Sequence, residues 1–189
     1  MTVTSIPGAA WRAERNAIVA AYAGTAAGAR ALAPTVQAVR RALPAAQIVL
    51  LWPAALELPA VTSRPADRVV LYPAPHQGAH AQPARLRRAV DRAVKALRAA
   101  APSAAIVLTE TGHAPFLPAY LCYLAGIPRR AGLCAEFGGA LLTQAVPPPA
   151  DLSQPDRHLF LLRAIGVRTC GGAARAAGPA PPAAEGARP

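Results

Sequence analysis

Between Ile106 and Pro128 the chain reads IVLTETGHAPFLPAYLCYLAGIP, and this stretch carries the residues best equipped for chemistry: Glu110, Thr111 and His113. A glutamate at the end of a strand can accept a proton as a general base, and a histidine three residues on can hydrogen-bond a substrate or pass a proton. Thr111, between them, offers a hydroxyl to a bound molecule. Earlier in the chain, Gly24-Thr25-Ala26-Ala27-Gly28 falls between a strand and a helix, where backbone N–H groups suit an anion. Gly24, Thr25 and Gly28 are its candidate contacts. Each group also has a plainer reading. A lone loop glutamate is ordinarily solvated, because catalytic carboxylates need a neighbour that shifts their pKa. His113 serves equally well to satisfy its own turn, and the glycine pair matches neither G-x-G-x-x-G nor G-x-x-x-x-G-K-[ST].

Other chemistries lack their residues. His76 and His80 are four apart, the spacing that shares a helix face, but Pro73, Pro75, Gly78 and Pro83 place them in a loop with no nearby carboxylate. No metal and no cofactor are expected. Cys122, Cys134 and Cys170 form no C-x-x-C pair, so neither a zinc site nor a disulfide framework is indicated. Cys122 falls in an apolar helix and reads as core packing. No G-x-S-x-G nucleophile motif is present.

The elements that must position these residues alternate between strand and helix. Buried strands are expected at Asn16 to Ala23, Gln47 to Trp52, Arg68 to Tyr72 and Ile106 to Thr109, with a fifth at Arg130 to Cys134. A helix from about Ala29 places Leu32, Val36, Val39 and Leu43 on one face, with Arg40 and Arg41 near a carboxyl end where cations suit the dipole. Ala84 to Ala101 is the clearest helix, striped by Leu86, Ala89, Val90, Ala93, Val94 and Leu97. Pro115 and Pro118 open another that stops at Gly126. Phe137 to Val146 reads as irregular or short helix. Ser153 caps a last helix with Asp156 as its capping-box partner, and Gly166 ends it. This alternation defines an α/β Rossmann-like open parallel sheet with flanking helices, whose ligands sit beyond the carboxyl ends of the strands.

The division expected is an irregular lead-in at residues 1–15, one domain at 16–167, and a tail at 168–189 too poor in large apolar residues to order itself. The net charge of +11 arises from 20 Lys and Arg against 9 Asp and Glu, which favours acidic partners and is compatible with contact at a membrane surface. Residues Arg85 to Arg98 lack the interleaved aromatics of a nucleic-acid motif. The N-terminus carries no continuous apolar run of the signal-peptide kind, and no window reaches the roughly 18 apolar residues of a membrane span, so a cytoplasmic protein is expected.

Taken together, Ile106 to Gly132, CAEFGGALLTQAVPPP and PDRHLFLLRAIG resemble the amino-terminal domain of family 9 glycosyltransferases, typified by ADP-heptose:lipopolysaccharide heptosyltransferases. AVRRALPAAQIVLLWP is similar to that family's second helix and strand. The resemblance covers about residues 16 to 167 and is most distinctive from Pro115 to Gly132. It implies the acceptor-binding half of a GT-B enzyme that transfers heptose or a similar sugar from a nucleotide donor to a cell-envelope glycolipid or glycan. The nucleotide-sugar half lies outside the matched residues. The family's first turn carries a Gly-Asp pair whose Asp is the implied base, and here that pair falls on Ala27 and Gly28, which cannot take a proton. Glu110 and His113 are then the substitutes. A non-catalytic acceptor-binding module and a small Rossmann-like hydrolase are the alternatives.

Overall fold

The computed structural model describes residues 17–60, 65–73, 83–135 and 141–167. The expected lead-in and tail, His76, His80 and Cys170 lie outside them. Among the described residues six strands form one parallel sheet: β1 (Ile18–Ala23), β2 (Ile48–Pro53), β3 (Arg68–Tyr72), β4 (Ala104–Thr109), β5 (Arg129–Leu133) and β6 (Gln144–Val146). Their order across the sheet is β3-β2-β1-β4-β5-β6. The order reverses direction between β1 and β4, and the crevice above that pair is where such sheets take ligands. In register, Ala23 stands opposite Thr109, and the Glu110 N–H donates to the Ala23 carbonyl at 2.9 Å, extending the ladder by one residue.

Both faces of the sheet are covered, so its central strands are buried along nearly their whole length. On one face Ile18, Ala20, Tyr22, Ile106 and Leu108 pack with residues of α1 (Ala26–Ala31), α2 (Ala33–Ala42) and α5 (Gln154–Ala164). On the other, Val19, Ala21, Ala105 and Val107 meet α3 (Pro83–Ala99) and α4 (Phe116–Leu124). Period-two alternation therefore carries position 110, like 106 and 108, towards α1. Tyr22 stacks on Trp52 with ring centroids 5.0 Å apart, on the same side.

Several boundaries differ from the sequence expectation for local reasons. The first helix begins at Ala26 rather than Ala29, because Thr25 caps it, so Gly28 belongs to a helix and not to a turn. It is interrupted at Leu32, since Pro34 has no N–H for the carbonyl of Arg30. Helix α3 stops at Ala99, two residues early, with Ala101 in the left-handed region at φ 45°. Leu86 of its stripe is 38% exposed. Gln144–Val146, expected to be irregular or helical, is an edge strand paired with β5. Only three residues long, it shows no periodicity to read.

Two arginines act as fasteners. Arg40 donates to the carbonyls of Pro65 and Ala46 and pairs with Asp67, whose Oδ2 also accepts the Ile48 N–H at 2.6 Å. Arg130 is buried, donates to the carbonyls of Leu141 and Ile127, and lies over the Tyr123 ring. Each closes the amino-terminal side of the sheet against a neighbouring loop.

Candidate functional site

The loops after β1 and β4 meet through one carboxylate. Thr25, the N-cap of α1, donates both its backbone N–H (2.7 Å) and its hydroxyl (2.8 Å) to Oε2 of Glu110. The same hydroxyl accepts the Gly28 N–H at 3.3 Å, as an N-cap side chain should. The Tyr22 hydroxyl donates to the Thr25 carbonyl at 2.9 Å and keeps a longer 3.5 Å contact with Oε2. The two glycines are required by this packing. A Cβ on Gly28 would stand 2.6 Å from Cδ and Oε2 of Glu110, and one on Gly24 would collide with the Tyr22 hydroxyl and lie 2.8 Å from Cβ of Glu110.

Burial alone would raise the pKa of Glu110, but the Thr25 hydrogen bonds, the nearby His113 and the Tyr22 hydroxyl outweigh it and hold the carboxyl below its ordinary range. Burial, reinforced by that negative charge, drives the Tyr22 phenol upward. Gly24, Thr25 and Gly28, expected to present N–H groups to a ligand, thus gather around a carboxylate of the chain itself.

Thr111 has a different partner. Its N–H and hydroxyl donate to Oε1 of Gln154, at 2.9 and 3.1 Å, while Nε2 of Gln154 donates to the Thr109 carbonyl at 2.7 Å. Nε2 of His158, fully buried one turn later on α5, lies 2.9 Å from Nε2 of Gln154 and 3.1 Å from the Thr109 carbonyl. Burial, only partly offset by the Thr109 hydrogen bond, lowers the His158 pKa to about 4, so the ring is neutral near pH 7. These contacts clamp the end of β4 to α5.

The turn between Glu110 and His113 closes through the His113 N–H, which donates to the Glu110 carbonyl at 3.0 Å; Gly112 sits at φ 81°, the left-handed value a type II turn takes at its third residue. Beyond it, a cavity of about 250 Å³ opens among the ends of β4 and β5, the start of α4, and α5. Glu110, His113, Cys134 and Arg157 line it, with Phe116 and Leu133 as apolar wall. Glu110 and His113 therefore share one cavity, whereas Thr25 and Gly28 stand behind Glu110.

Sequence reasoning passed over Tyr22, Gln154, Arg157 and His158. The signals were present but weak: Tyr22 continues the alternation of Ile18 and Ala20, and Gln154 and His158 are four apart on a helix. Cys122 is buried, with its thiol pushed up to about 12 by that burial. No cluster of His, Cys, Asp and Glu among the described residues is placed to hold a metal ion. No described helix is long and apolar enough to cross a membrane.

No family model matches the sequence, and no curated protein matches it. Solved structures do match the fold. A glycosyltransferase family 9 protein from Veillonella parvula superposes with a TM-score of 0.63 at 13% identity, over 82% of this chain and 43% of its own. The E. coli heptosyltransferase WaaC with ADP gives 0.58 at 15% identity, over 81% and 48%. E. coli ADP-heptose lipopolysaccharide heptosyltransferase II gives 0.52 at 19%, over 80% and 42%. The class is therefore a Rossmann-like α/β domain, of the arrangement found within GT-B heptosyltransferases. The chain spans less than half the length of each of these structures.

Two outcomes follow from this geometry. Gly28→Ala destabilises the domain by about 1–3 kcal/mol through overpacking against Glu110. In a Glu110→Ala background the same change costs about 1 kcal/mol less, a coupling that urea denaturation of the four proteins measures; additive effects would refute the contact. Because the folded pKa of His158 is depressed, the unfolded chain binds more protons below about pH 6.5, and stability falls as pH drops from there to about 4, by on the order of 3 kcal/mol. His158→Gln flattens this slope in urea midpoints measured between pH 7 and 4; parallel profiles would exclude the assignment.

Proposed function

We propose that this chain is the acceptor-side part of a sugar transferase that moves heptose or a similar sugar from a nucleotide donor to a cell-envelope glycolipid or glycan. In this reading the nucleotide-binding part corresponds to the portion of the neighbouring structures that the chain does not cover. The observation that carries this reading is the ionised Glu110 at the β1/β4 crevice, beside a cavity it shares with His113. Its carboxylate reaches, from β4, the space a side chain on Gly28 would occupy. That is where the family resemblance calls for an aspartate. The acceptor hydroxyl would give its proton to Glu110 as its oxygen attacks the anomeric carbon, while the bond to the nucleotide phosphate breaks and its electron pair leaves with the phosphate. His113 would bind the acceptor, and Thr25, Thr111, Gly24 and Gly28 would shape the crevice.

An ADP-linked donor is supported by the E. coli neighbours solved with ADP and with ADP-2-deoxy-2-fluoro heptose. The exposed Arg85, Arg87, Arg88, Arg92, Lys95 and Arg98 of α3 suit an acidic glycolipid, at the inner face of the cell membrane in the cytoplasm. A second reading, a module that binds the acceptor without turning it over, is favoured by the engagement of Oε2 with Thr25.

Deleting the gene in its source organism and weighing the envelope glycolipids by mass spectrometry tests both. A glycolipid lighter by one sugar is expected, restored by the parent gene and to no more than about a few per cent by Glu110→Gln, the loss typical for a missing general base. Full restoration by Glu110→Gln would leave only the binding reading. An unchanged envelope would reject both.

A further inference from the structure

Two buried polar atoms without a hydrogen-bond partner among the described residues, Nδ1 of His113 and Nε of Arg157, belong to side chains that line the same cavity. A buried guanidinium N–H without an acceptor is costly, and so is an unpaired imidazole nitrogen. Both side chains line the one cavity, so a ligand there would meet an arginine and a histidine whose hydrogen-bonding capacity the described residues leave partly unused. Arg157 is held in place for such a role: its Nη1 donates to the Pro149 carbonyl at 2.6 Å. The fork is thereby anchored at one nitrogen while Nε stays unpaired.

The volume of about 250 Å³ equals about eight water molecules at their liquid share, which suits a ligand of small-sugar size rather than a nucleotide. Phe116, Pro115 and Leu133 supply an apolar wall. The carboxylate lining the cavity, Glu110, directs Oε2 at the two Thr25 donors, which offset its repulsion of a second anion.

We infer that this cavity binds the anionic group, carboxylate or phosphate, of a small polar ligand, with the guanidinium of Arg157 as charge-assisted donor and the ring of His113 as a second contact. The inference rests on the proposed function only for the ligand's identity: there, the anion belongs to the sugar acceptor. The binding itself stands on Arg157 and His113.

The test is an amide NMR titration of the 189-residue chain with glucose 6-phosphate, glucuronate and, as neutral control, glucose. The expected result is saturable shifts at the amides of Gly112, His113 and Leu133 with at least one anion and none with glucose. Affinity falls by about tenfold or more in Arg157→Gln, the loss of one charge-assisted bond, with Arg157→Lys intermediate. Response to glucose 6-phosphate alone assigns a phosphate, and response to glucuronate alone a carboxylate. Shifts confined to the arginines of α3, or equal affinity in parent and Arg157 variants, would overturn the site. Loss of an envelope sugar without anion binding sinks this site and spares the transferase reading; anion binding with an unchanged envelope does the reverse.

Discussion

One carboxylate oxygen, Oε2 of Glu110, joins the two loops on which the crevice is built. By accepting from the N–H and hydroxyl of Thr25, it fixes the first turn of α1 against the end of β4. The rest of the local sequence follows from that contact. Tyr22 must end β1 on the same face, its hydroxyl reaching the Thr25 carbonyl, and residues 24 and 28 must be glycine because Tyr22 and Glu110 already fill the space of a side chain. The small-residue turn therefore records close packing, and the N–H of Thr25 points to an internal anion.

A second clamp works from the other side. Gln154 and His158 bind the Thr109 carbonyl and Thr111, so α5 holds the β4 loop while α1 holds its glutamate. The cavity lies beside this doubly held loop, lined by Glu110, His113 and Arg157. Such rigidity suits a binding surface, since groups held in place lose little freedom when a ligand arrives. Glu110 stays ionised and His158 neutral near pH 7, and among the described residues the cavity is bordered by the carboxylate of Glu110 and the guanidinium of Arg157.

Much of the fold was legible because long apolar strands and capped helices carry their own signals. IVLLW reads as a buried strand and is one, and Ser153 with Asp156 forms the expected cap, the two side chains 2.5 Å apart. β6 is hidden because three residues hold no period, and the start of α1, three residues before the expected Ala29, because Thr25 reads as part of a glycine turn rather than as a cap. The site was only half legible. Glu110 and His113 stand out by position, yet nothing local says that Glu110 meets Thr25, 85 residues away in sequence, or that Arg157 lines the same cavity. Those contacts exist only once the sheet brings β1, β4 and α5 together.

The most direct measurement is the titration of the Glu110 carboxyl by carbon-detected NMR in the folded domain. With Oε2 bound by both Thr25 donors, its midpoint falls below the ordinary glutamate value of about 4.3. A midpoint at or above that value would mean that the bonds to Thr25 do not hold the carboxylate. The account of the crevice would then be wrong.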